Sequence, residues 1–316
     1  MVNFTTSGVI TAADYAGNLT TLNTVWSTGS NNFGYGQTAL SSVGSTDTIS
    51  SAKWRNMLNT TANCGTHQNT ALLGVTIPAA APANDTISYT KLQNAFTNIT
   101  SVSTSKLNAV SQGTTSANTA TFGTPWQNIL TFTHTATFAN GDAARYFFNS
   151  GGQLAITCSH PTGTTINLLL SDLAANVGTL VFSSPIAAAT ATIAATSYTG
   201  FKKVGGGGTA PTTNDTTKGY YALGVANSNV FLQTASTGPA SYIGTFINLL
   251  AKTTANTGVN GDNGNVLTFY TVWDEIPNGM IATSGTAVTL TLRPPEITNI
   301  SNTWGTITLA GSVSGS

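Results

Sequence analysis

Three histidines, two cysteines and one adjacent pair of carboxylates have the widest chemical reach in this 316-residue chain. His67, His134 and His160 stand far apart, with no second ligand type at metal-binding spacing. His134 falls on the apolar side of an alternating pattern and reads as a core histidine with its hydrogen bonds satisfied. Cys64 and Cys158 match neither a zinc nor a redox spacing, and read as buried free thiols. Asp274-Glu275 is the adjacent carboxylate pair, but consecutive strand residues face opposite ways and cannot act together as acid and base. Gly205 to Gly208 lacks the Lys-Ser/Thr and the following helix that let a glycine loop hold phosphate. Asn260 to Asn265, around Asp262, has the outline of a calcium loop without its closing glutamate and reads as a plain turn. No catalytic, cofactor-binding or metal-ligating residue is assigned, and a non-enzymatic protein is expected.

Composition narrows the classes further. Ten Lys plus Arg balance ten Asp plus Glu, and charged residues are 6% of the chain, against about 25% in ordinary soluble domains. No basic field exists to draw nucleic acid or an anionic membrane. No apolar run reaches the length of a membrane helix, so no membrane insertion is expected. The start, Met-Val-Asn-Phe-Thr-Thr, lacks the basic and apolar regions of a signal peptide, so synthesis in a cytoplasm is expected. With 40% hydrophobic residues, burial can offset chain entropy and the chain folds. Its surface is then neutral polar, and a protein of zero net charge tends to associate.

The elements that must carry these residues fall into two groups, an α+β arrangement. Residues 1–122 read as a helical assembly or docking module with three capped helices, and 123–316 as a β-sandwich. Three segments of the first group match at near-equal spacing: Ile10-Thr-Ala-Ala-Asp-Tyr15, Ile49-Ser-Ser-Ala-Lys-Trp54 and Ile87-Ser-Tyr-Thr-Lys-Leu92. In each, a Thr or Ser stands at the N-cap, where its oxygen accepts from free backbone N–H groups. The flanking pairs Ile10 and Tyr15, Ile49 and Trp54, Ile87 and Leu92 occupy staple positions. Apolar residues then recur every three or four positions, although Thr and Asn are weak helix formers and such helices need packing to persist.

Beyond Thr124 the period changes to two. Ile129 to Phe138 alternates an apolar face with a threonine face. Further strands are predicted over Arg145 to Phe148, Leu154 to Cys158, Ile166 to Leu170, Leu180 to Phe182, Tyr220 to Leu223, Val266 to Trp273, Ala287 to Leu292 and Thr303 to Leu309. Turns are predicted at Asn140-Gly141, Ser150-Gly-Gly152 and Asn278-Gly279.

Four segments carry a resemblance. Arg145-Tyr-Phe-Phe-Asn-Ser-Gly-Gly-Gln153, Phe33-Gly-Tyr-Gly-Gln37, Asn265-Val-Leu-Thr-Phe-Tyr-Thr-Val-Trp-Asp-Glu275 and Thr289-Leu-Thr-Leu-Arg-Pro-Pro-Glu296 resemble segments of virion proteins of tailed bacteriophages, particularly phages of marine bacteria. The resemblance implies a structural component of a virion, located with the tail, baseplate, neck or fibres, and supplies no catalytic residues. Its partners would be other virion proteins and copies of itself, a trimer being the closed form expected. Structural roles are expected for Arg145, Tyr146, Phe148 and Trp273 beside the staple residues, with Arg145 or Asn149 open to a neighbour. The alternative is an adhesin module for a host surface glycan or receptor, for which Trp126, Tyr198 or Tyr242 would have to stand exposed near loop tips.

Overall fold

The computed structural model describes residues 11–29, 33–44, 46–74, 89–163, 165–185, 189–235, 244–255, 264–275 and 280–315. Three helices come first: α1 (Ala12–Trp26), α2 (Ser51–Gln68) and α3 (Tyr89–Thr104). Local side-chain chemistry starts the first two. Thr11 and Asp14 form a reciprocal capping box on α1, and Ser50 Oγ accepts from the Lys53 N–H on α2. Within the helices, Thr20, Thr21, Thr61, Thr100 and Thr104 donate their hydroxyls to carbonyls four residues back, so these weak helix formers stay hydrogen-bonded. α2 stops at Asn69, which takes the left-handed conformation.

The rest is a β-sandwich with two further helices, so the fold is α+β. One sheet has five strands in the order β1 (Ser116–Phe122), β12 (Thr286–Arg293), β3 (Gln153–Ser159), β4 (Thr179–Phe182) and β7 (Phe201–Val204). The other has six: β13 (Thr308–Gly315), β2 (Ile129–Thr137), β11 (Val266–Asp274), β10 (Phe246–Thr253), β9 (Ser228–Thr234) and β8 (Thr213–Asn214). A small hairpin, β5 (Ala191–Ile193) with β6 (Thr196–Tyr198), stands apart. Every ladder within the sheets is antiparallel.

The sheets meet face to face through side chains of strict alternation. Phe182 of β4 packs on Phe269 of β11 with ring centroids 4.8 Å apart, and Phe201 of β7 on Phe231 of β9 at 6.1 Å. Along β2, Leu130, Phe132, His134 and Ala136 point into this core, while Thr131, Thr133, Thr135 and Thr137 form the half-exposed outer face. Tyr15, Leu19, Leu22 and Val25 of α1, Met57 of α2 and Val102 of α3 belong to the same continuous core.

Five expectations need correcting. Arg145 to Phe148 is not a strand but lies in α4 (Gly141–Asn149), because Asn140 caps it by accepting from the Ala143 N–H at 2.8 Å and Asp142 sits in its first turn. Asn140-Gly141 is therefore a helix start rather than a hairpin turn. Ile166 to Leu170 opens α5 (Ile166–Val177), whose buried Ile166, Leu169, Leu170, Leu173, Ala174 and Val177 keep helical spacing. Tyr220 to Ala222 is a single 3-10 turn, and the strand expected at Thr303 to Leu309 begins at Thr308. In addition β1, inside the span 1–122, hydrogen-bonds along its length to β12 in the sheet. Ile10, Ile87, Asp262, Asn278 and Gly279 lie outside the described residues.

Candidate functional site

The Phe33–Gln37 segment packs directly on α4, so two segments distant in sequence form one junction between the helices and the sandwich. Arg145, fully buried, donates through Nη1 to the carbonyls of Thr28 and Phe33, and through Nη2 to Asp142 at 3.2 Å. Its guanidinium lies 4.7 Å from the centre of the Tyr146 ring. That ring in turn fills the space beside Gly36, where an added Cβ would come within 2.5 Å of it, and Gly36 has a φ of +73°. Asn149 donates to the Gly34 carbonyl and accepts from the Tyr221 hydroxyl. Phe148 stacks on Tyr220 at 4.6 Å. Arg145 and Asn149 are thus turned inward and spent on the chain's own backbone, not open to a neighbour as expected.

Tyr35 and Gln37 tie this junction to the end of α2, to the segment after α3 and to the stretch before β13. Tyr35 donates its hydroxyl to the Lys106 carbonyl and accepts there from Gln68, and its own carbonyl accepts from Thr303. Gln37 exchanges two hydrogen bonds with the backbone of Ser301. His67, packed edge-on against Tyr35, donates from Nε2 to the Ser150 carbonyl at 3.0 Å. Burial holds the His67 imidazole down to about 4, so it is neutral. Gln153, the last residue of the Arg145–Gln153 segment, pairs with Arg293 across β3 and β12 and accepts from Gln112.

The staple residues converge as well. Tyr15 donates to the Lys53 carbonyl, its ring lies 6.5 Å from Trp54, and Trp54 meets Phe96 edge-on at 6.3 Å. Ile49 and Trp54 are half-buried against the common core, and Leu92 is buried.

A second polar centre lies at one end of the sandwich, and sequence reading did not find it. Trp126 Nε1 donates to Thr286 Oγ1 at 2.8 Å, Thr286 Oγ1 is 2.8 Å from His160 Nδ1, and His160 Nε2 is 3.0 Å from Asn167 Oδ1. Asn167 Oδ1 is an acceptor, so Nε2 carries the proton and Nδ1 accepts from Thr286. The order of hydroxyl, imidazole and amide is that of a nucleophile, a base and its orienting group. However, Thr286 is fully buried and already holds the Trp126 N–H, so no substrate carbonyl can approach its oxygen.

Trp273 packs 6.3 Å from the His160 ring, and Glu275 continues from β11 into the interior, fully buried. The Trp273 indole N–H has no hydrogen-bond partner among the described residues, and the Glu275 carboxylate has no side-chain partner there, only the Met280 and Asn128 backbone beside it. Burial pushes the Glu275 carboxyl up to about 7, with the Met280 and Asn128 amides offsetting part of the rise. Asp274 faces the other way and stays half-exposed.

His134 departs from expectation. It is fully buried with no well-formed hydrogen bond at either ring nitrogen among the described residues, and burial holds it down to about 4 while the nearby Val288 backbone offsets part of the fall. Cys64 is buried and Cys158 partly so; both are free, with thiols pushed up to about 12. Trp126 and Tyr198, named for sugar stacking, are buried, and Tyr242 lies outside the described residues. Among the described residues no group of histidine, cysteine and carboxylate side chains is placed to hold a metal, and no helix is long and apolar enough to cross a membrane. No protein-family model, curated protein or solved structure matches this chain.

Proposed function

We propose that this chain is a non-enzymatic structural component of a tailed-phage virion, associated with the tail, baseplate, neck or fibres. It assembles with copies of itself and with other virion proteins through apolar and neutral polar contacts. The observation that carries this reading is the junction. Three of the four segments that resemble virion proteins, 33–37, 145–153 and 289–296, form one contiguous hydrogen-bonded unit linked through Arg145, Asn149 and Gln153. Segments shared by chance composition have no reason to meet in space. A shared structural framework does.

Chemistry of the surface supports assembly. On β2 and β13 the outer face of the six-stranded sheet is Thr, Ser and Ala, and across β10 and β11 only Lys252 and Asp274 add charge to it, so contacts there desolvate few ions. The adhesin reading loses its aromatic candidates Trp126 and Tyr198 to the core. Antibody raised against the full chain and applied to purified particles of the encoding phage tests the proposal by electron microscopy. Label on the tail or its appendages is expected. Intact particles that carry none of the chain would overturn it.

A further inference from the structure

We propose that two copies of the chain pair along β13, with β1 lying beside its own counterpart. This rests on the assembly reading above and adds the surface through which it occurs. β1 ends the five-stranded sheet, β13 ends the six-stranded sheet, and the two lie against each other on one flank of the sandwich. Among the described residues β1 pairs only with β12 and β13 only with β2, and no other backbone hydrogen bond reaches either strand beyond the contact of Gly285 with Phe122 at the tip of β1. Along 7 residues of β1 and 8 of β13, alternate N–H and C=O groups therefore face outward unpaired.

Natural sheets protect such edges with lysine, proline, bulges or shortness. Neither strand contains a charged residue or proline, and the register of β13 on β2 runs without a shift. The opposite flank is different. There β8 is 2 residues long, and β7 is 4 residues long and carries Lys202 and Lys203. Protection is applied on one side of the molecule and withheld on the other.

The open flank is also built flush. Gly311 of β13 lies so close to β1 and β2 that an added Cβ would come within 2.4 Å of Asn118 Oδ1 and 2.8 Å of His134 Cδ2. Glycine there draws the two edges together over a buried histidine and presents them side by side. A row of free N–H and C=O groups is filled by another extended strand. A second copy offers both edges at matching separation and no like charge to repel them, whereas a lone foreign strand would fill one edge and leave the other bare. Around a two-fold axis β13 meets β13 antiparallel, so the closed unit is a dimer in place of the trimer expected from sequence.

Sedimentation velocity on the full chain tests this. The unaltered chain is expected to sediment as a dimer. The double variant Ala310→Lys with Ser312→Lys is expected to lose the dimer with its circular dichroism unchanged, and Asn214→Lys on β8 to keep it. Should the lysine variant fail to fold, Ser312→Cys decides, because it is expected to form a disulfide-linked dimer under mild oxidation while Asn214→Cys does not. A dimer that survives the paired lysines, or a thiol at 312 that does not cross-link, overturns the β13 surface and leaves assembly through another face. A chain monomeric throughout overturns the assembly reading itself.

Discussion

Two fully buried charged side chains, Arg145 at the junction and Glu275 at the end of the sandwich, are held in opposite ways. Arg145 cannot give up its proton, so the fold surrounds it with the Thr28 and Phe33 carbonyls and Asp142. Glu275 can be neutralised, and the fold gives its carboxylate no cation or side-chain donor among the described residues, only backbone amides, while burial raises its proton affinity to about 7. A permanent charge has become an anchor between layers. A titratable one sits in the core with its proton affinity raised to near neutrality, so its charge follows pH. Burial alone does not identify a working site, since what surrounds the group decides its role.

The largest test of this contrast is Arg145→Met. It strands two carbonyls and Asp142 and should destabilise the chain by about 3–5 kcal/mol in denaturant unfolding; a loss below about 1 kcal/mol would show that the junction does not depend on Arg145. Next is Gly36→Ala, which forces a side chain into a positive φ and onto the Tyr146 ring. It should cost about 2–3 kcal/mol, and a neutral result would mean that the loop rests loosely on α4.

Glu275→Gln should act in the other direction. Because the folded-state value is raised from 4.5 to about 7, the carboxyl's contribution is complete below pH 4.5 and is lost as pH rises through 7. His67 and His134, lowered from 6.5 to about 4, contribute above pH 6.5 and lose that contribution as pH falls toward 4. Stability should therefore peak near neutrality or slightly below. Relative to the unaltered chain, Glu275→Gln should gain about 1–2 kcal/mol between pH 5 and pH 8. A difference between the two chains that does not change with pH would show that Glu275 is ionised throughout.

The smallest effect lies next to the junction. Ala194 and Ala195 turn the hairpin between β5 and β6 with φ of 46° and 62°, and the Ala194 N–H donates to the Ala109 carbonyl. Ala195→Gly should stabilise by about 0.5–1 kcal/mol, read as a rise in thermal midpoint.

What the sequence made legible was local. Thr11 with Asp14, and Ser50, announce helix starts because a cap is a contact across three residues. Alternation placed β2, β11 and most of β12, since one face of each is buried, while β3 and β4, buried on both faces, were legible as short apolar runs between turns. Arg-Tyr-Phe-Phe misled because aromatic residues favour strands, while the deciding signal, the Asn140 cap, sits upstream of them. In α5 the helical spacing continues to Val177 and was missed by reading only its first five residues. Of the site, the aromatic residues Tyr146 and Phe148 were legible as anchors, whereas the inward turn of Arg145 was not. The chain Trp126–Thr286–His160–Asn167 was not, because its members are far apart in sequence and only the folded sheets bring them together.

The central claim is that this chain exists to associate, and that it does so without relying on charge. Sedimentation equilibrium at roughly micromolar concentration, in dilute buffer and again in about 1 M salt, tests it most directly. With 10 positive and 10 negative side chains in 316 residues, screening has little to act on. The account predicts the same oligomer at both ionic strengths. A stable monomer, or an oligomer that dissociates in high salt, would contradict it.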